Sequence, residues 1–116
     1  MSMTAAEFRI ARESLGLGAP ELAFRLGVAL RTVRRWEHGH SPVPGGVAED
    51  MRGLLEDAEA VADLHAAAMT RAGQTVYHIR GAGDPGWNRA IARRVMERLP
   101  GVRVVYDGET APTDPR

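Results

Sequence analysis

The stretch from Glu21 to Gly39 constrains the fold more than any other part of this chain. Leu22, Ala23, Leu26, Val28, Val33 and Trp36 are spaced so that two short helices share one small core, with Gly27 standing between them. Pro20 falls in the first turn of the earlier helix, where a missing N–H costs nothing. Ala23 is small where the two helices must cross closely, Gly27 permits a tight turn, and Val28 plugs the angle between them. With Val33 and Trp36 pointing inward, Leu30, Arg31, Arg34 and Arg35 are left together on the opposite face of the second helix.

The flanks extend this into a helical bundle. Thr4 followed by Glu7 has capping-box spacing and opens a helix over 4–15, whose Phe8, Ala11 and Leu15 recur on one face. Gly16 and Gly18 stop it, a second helix is expected over 19–26, and a third over 29–38 with Gly39 as its stop. His40 to Gly46 reads as a loop. A long helix follows over 47–72, with an apolar stripe from Val47 to Met69 that a small bundle cannot cover. Beyond Gly73 the pattern becomes strand (74–80), helix (84–99) and strand (102–106). The expected fold is mainly α: an N-terminal helix-turn-helix bundle of four to five helices with its DNA-binding domain over 1–46, a long connecting helix over 47–72, and a small strand-helix-strand (βαβ-like) dimerisation unit over 73–107. A loose tail over 108–116 completes it.

Three arginines on the exposed face of a short helix suit the major groove, because the guanidinium fork matches guanine O6 and N7. Leu30, Arg31, Arg34 and Arg35 are therefore the candidate base contacts, with Leu30 suited to a thymine methyl. Thr32, His38, His40 and Ser41 border that face as candidate phosphate contacts. The net charge is zero, yet residues 1–46 carry six arginines against four acids, whereas 47–72 carry two against six. Every basic residue is Arg, a bias that codon usage alone can produce. Cysteine is absent, which excludes disulfides, thiol catalysis and thiolate metal sites. No apolar block suits a signal peptide or a bilayer span, so a cytoplasmic protein is expected.

The run Glu21-Leu22-Ala23 … Leu26-Gly27-Val28 … Thr32-Val33 … Arg35-Trp36-Glu37 … Gly39 resembles the Cro/C1-type (XRE-like) helix-turn-helix family of phage and bacterial regulators. The resemblance implies an ion pair between Arg12 and Glu37, sequence-specific binding to double-stranded DNA, and transcriptional regulation. Two positions depart from the pattern: Ala29 replaces the usual Ser or Thr cap, and Ala19 a polar phosphate contact. Trp36 to Pro44, the long helix and Pro85-Gly86-Trp87-Asn88-Arg89 also look like the anti-CRISPR-associated regulators and their YdiL-like relatives. That narrower resemblance implies a homodimeric autorepressor on an inverted-repeat operator.

One recognition helix reads few base pairs, so a dimer on two half-sites is expected. Its interface is placed on Val76, Tyr77, Ile79, Trp87, Ile91, Val95, Val102, Val104 and Tyr106, because a two-stranded sheet with open edges invites pairing. The competing reading is an antitoxin whose C-terminal half binds a protein partner.

Gly81-Ala82-Gly83-Asp84-Pro85-Gly86 matches a dinucleotide fingerprint formally, with Asp107 downstream. His78 and Arg80 in the leading strand, Pro85 in the loop and a single strand-helix-strand unit argue against it. Arg89, Arg93, Arg94 and Arg98 read as a solvated helix face supported by an Arg93–Glu97 pair, with a second nucleic-acid contact as the alternative. The acids Glu49, Asp50, Glu56, Asp57, Glu59 and Asp63 also read as a solvated face, and His65 as helix packing. No catalytic constellation, metal site or cofactor is expected.

Overall fold

A computed structural model describes residues 2–113, and within them the chain is mainly helical with one small sheet. The elements run α1 (Ala5–Ser14), α2 (Ala19–Leu26), α3 (Leu30–Glu37), α4 (Gly45–Ala72), β1 (Val76–Ile79), α5 (Pro85–Arg98) and β2 (Arg103–Tyr106). They form two compact units, Met1–Ala58 and Glu59–Arg116, and α4 runs through the boundary. Among the described residues no helix is long and apolar enough to cross a membrane.

In the first unit, local chemistry sets the helix ends. Thr4 accepts from Glu7 N at 3.0 Å while Glu7 Oε1 accepts from Thr4 N at 2.9 Å, so the capping box closes in both directions. Gly27 caps α2 at φ 70°, a conformation that L side chains rarely adopt, and thereby turns the chain into α3 within three residues. Phe8, Leu15, Leu22 and Val33 are fully buried, with Ala11, Leu17, Ala23 and Trp36 around them and Ala48 and Met51 of α4 completing the core. The ring of Trp36 meets Phe8 edge-on, with centroids 5.7 Å apart.

Helix α4 begins at Gly45, two residues before the expected start at Val47. Its apolar stripe divides between the units: Ala48, Met51 and Ala58 are buried in the first, Ala62, Ala66 and Met69 in the second.

The second unit is a strand-helix-strand in which β1 and β2 pair in parallel, Val76 opposite Arg103 through Ile79 opposite Tyr106. Parallel strands need a crossover, and α5 supplies it. Ala90, Ile91, Val95, Tyr77, Ile79 and Val105 make the core with the small side chains of α4.

This packing corrects two expectations. Tyr77, Ile79, Ile91 and Val95 are 8%, 8%, 3% and 0% exposed, so four of the residues assigned to a dimer interface are used up inside the unit. Val76, Trp87, Val102 and Val104 keep partial exposure, and Tyr106 is 53% exposed. The arginine and acid faces are not solvated faces throughout. Arg94 is 3% exposed and donates from Nε to Glu59 Oε2 at 2.7 Å and from Nη1 to the Ala90 carbonyl at 3.1 Å. Arg98 binds Glu59 and Asp63. These two arginines hold the Glu59 carboxyl below the usual carboxylate range. Arg93 does pair with Glu97 one turn on, with both side chains about half exposed.

Candidate nucleic-acid interface

Helix α3 presents two faces of opposite character. Val33 and Trp36 are 0% and 7% exposed and anchor it to the core of the first unit. On the other side Arg31, Arg34 and Arg35 are exposed, while Leu30 and Thr32 are half-buried at its edge. Among the described residues no carboxylate pairs with any of these three arginines. The one carboxylate on the helix, Glu37, is turned away and held elsewhere.

That restraint comes from α1. Arg12 Nε donates to Glu37 Oε2 at 2.5 Å, Nη2 donates to Oε1 at 2.9 Å, and Nη1 donates to the Leu17 carbonyl at 3.0 Å. The two side chains keep only 13% and 5% exposure, so the bidentate pair sits largely out of water. The hydrogen bonds to Glu37 push the Arg12 pKa above its already high value, which keeps the guanidinium charged. The fork leaves little freedom of rotation at the C-terminal end of α3, and so fixes where the arginine face points.

Past α3 the chain turns back at Gly39, φ 75°, and the backbone N–H of His40 returns to the Arg35 carbonyl at 2.9 Å. Ser41 thereby comes under Arg35, whose Nε donates to its Oγ at 3.2 Å. His38 and His40 are exposed with ring centroids 5.9 Å apart, beside the arginines. The expected base and phosphate contacts, Leu30, Arg31, Thr32, Arg34, Arg35, His38, His40 and Ser41, thus lie on one helix and its following turn. At the other end Ala29 supplies no side-chain cap to α3, and its carbonyl accepts from Thr32 N at 3.0 Å and Val33 N at 3.3 Å.

The glycine loop of the second unit has a different character. Asp84 caps α5 with its own carboxylate, which accepts from Gly86 N at 3.1 Å and Trp87 N at 3.4 Å. Asn88 Nδ2 donates to the Ala82 carbonyl at 2.8 Å and ties the loop to the helix. The N–H groups that a pyrophosphate would need are already taken by the chain's own side chain. Among the described residues, no group of three or more His, Cys, Asp or Glu could hold a metal ion.

Sequence reasoning missed two arrangements. Arg94 belongs to an ion-pair network with α4, and His65 forms a hydrogen bond of 2.8 Å between its Nδ1 and the Tyr77 hydroxyl. The spacing of Arg94 and Arg98 on α5 and of Glu59 and Asp63 on α4, each one helical turn, was the available signal for the first. No family model matches the chain, and no curated protein matches it either.

Proposed function

We propose that this chain is a sequence-specific DNA-binding regulator, a homodimeric repressor that reads an inverted-repeat operator with α3. The observation that carries the reading is the split of α3 itself. One side is locked by Val33, Trp36 and the Arg12–Glu37 fork, and the other offers three arginines that have no carboxylate partner among the described residues. A rigid helix with an arginine face suits guanine edges, whereas Ser41, His38, His40 and Thr32 at its margins suit phosphate oxygens. The resemblance of residues 21–39 to the Cro/C1-type helix-turn-helix supports the same reading, with the helix pair α2–α3 as the reading module. The mechanism is occlusion: a dimer on an operator that overlaps a promoter keeps RNA polymerase away.

Two half-sites call for two copies. In this reading the second unit joins them through what its own core leaves uncovered: the open edges of the β1–β2 sheet, with Val76, Val104 and the exposed Tyr106. Selection of bound sequences from a random DNA pool tests the proposal. A two-fold symmetric consensus is the expected product. Arg31→Ala or Arg35→Ala is expected to lose about 1–3 kcal/mol of binding and relax one base-pair position per half-site. Recovery of no consensus, or unchanged affinity after replacement of all three arginines, overturns it.

A further inference from the structure

In the second unit, the carboxyl end of β1 and the first turn of α5 enclose a cavity of about 160 Å³ together with α4. Crevices of this kind, outside the carboxyl ends of parallel strands, are where open α/β units receive ligands. Three of its walls are apolar: Val61, Ile91 and the indole of Trp87. The others are His65, Tyr77, Asn88 and Arg80. Asn88 is already committed, donating to the carbonyls of Arg80 and Ala82. His65 and Tyr77 hold each other at 2.8 Å, with rings 5.7 Å apart.

Arg80 decides the charge of the ligand. It is exposed at the rim, no carboxylate lines the cavity, and among the described residues no acid pairs with its guanidinium. We infer that this cavity is a binding site for a small monoanionic aromatic carboxylate. The ring lies between Trp87 and the Val61–Ile91 wall, and the carboxylate meets the fork of Arg80 beside the His65–Tyr77 pair.

The size agrees. A cavity of about 150 Å³ takes up a benzene ring, so one ring fits and a nucleotide does not. The chemistry agrees as well. A planar guanidinium binds a carboxylate through two parallel hydrogen bonds, and a partly apolar site strengthens them. Burial and the Arg80 charge keep the His65 imidazole below its ordinary pKa, hence neutral at pH 7, so Arg80 is the cation that the carboxylate meets. This inference does not depend on DNA binding.

Sodium benzoate, added to the full chain with the two indole N–H signals followed by NMR, is the test. The expected result is a saturating shift of the Trp87 signal below about 50 mM while the Trp36 signal, in the first unit, stays in place. Benzamide, which has the ring without the charge, and the Arg80→Gln variant are each expected to weaken the response about tenfold or more. Arg80 is exposed, so this variant keeps its fold, which an unmoved Trp36 signal verifies. A response that never saturates, benzamide binding as well as benzoate, or an Arg80→Gln variant that binds normally overturns the assignment.

Discussion

Arg12 holds both carboxylate oxygens of Glu37 across 25 positions of sequence, which ties the last turn of α1 to the last turn of α3. Because both groups are nearly out of water, removing one partner strands the other. Glu37→Ala is expected to destabilise the first unit by about 3 kcal/mol, and Arg12→Met by a similar amount. The double replacement should cost less than the sum, since no charge is then left unpaired. A thermal double-mutant cycle followed by circular dichroism measures this, and additivity of the two losses would refute coupling.

The two faces of α3 predict opposite responses. Trp36→Ala removes a side chain that is 7% exposed and packed edge-on against Phe8, and is expected to cost about 3–5 kcal/mol. Arg31→Ala, on the exposed side, should stay within about 0.5 kcal/mol of the parent. Urea denaturation of the two variants separates these cases.

Two neighbouring arginines on α5 make a similar contrast. Arg93 pairs with Glu97 in water, and Arg93→Ala is expected to change stability by less than about 1 kcal/mol. Arg94→Ala removes a buried stem together with its bonds to Glu59 and to the Ala90 carbonyl, so a loss of about 2–3 kcal/mol is expected. Urea midpoints decide, and equal losses would contradict the assigned burial.

His65 makes stability depend on pH. Burial first, and the nearby Arg80 charge second, lower its pKa in the folded chain below the unfolded value of about 6.5. Between those two values the unfolded chain binds more protons, so acidification favours unfolding. The contribution is intact above about pH 6.5 and is lost as the pH falls toward the folded pKa. His65→Gln should flatten the melting temperature measured between about pH 7.5 and 5.5, and an unchanged slope would exclude His65 as its source.

The first unit was the more legible part because its signals are local. The Thr4–Glu7 box, Pro20, Gly27 and the spacing of Val33 and Trp36 act within a turn or two of themselves, and each stands where the pattern placed it. The Arg12–Glu37 contact came from resemblance, since no local rule links residues so far apart. The second unit was harder to read because its packing is settled between distant segments. Ala62, Ala66 and Met69 of α4 are buried in the same unit as Tyr77, Ile79, Ile91 and Val95, so these four are covered by their own chain. Hydropathy alone does not distinguish a side chain buried by its own chain from one reserved for a second copy. Arg94 defied its polarity because Glu59, 35 positions earlier, supplies the countercharge. The early start of α4 ran against the low helix propensity of Gly45 and Gly46.

The parallel pairing of β1 with β2 also governs how the second unit comes into being. A hairpin can close residue by residue from its turn, but Val76 meets Arg103 only across the whole segment that holds α5. The entropy of closing that long loop is therefore spent before any strand hydrogen bond forms. The ladder has no partly zipped state to fall back on. The amides that bind across it should exchange with solvent together, at the rate at which the unit as a whole opens.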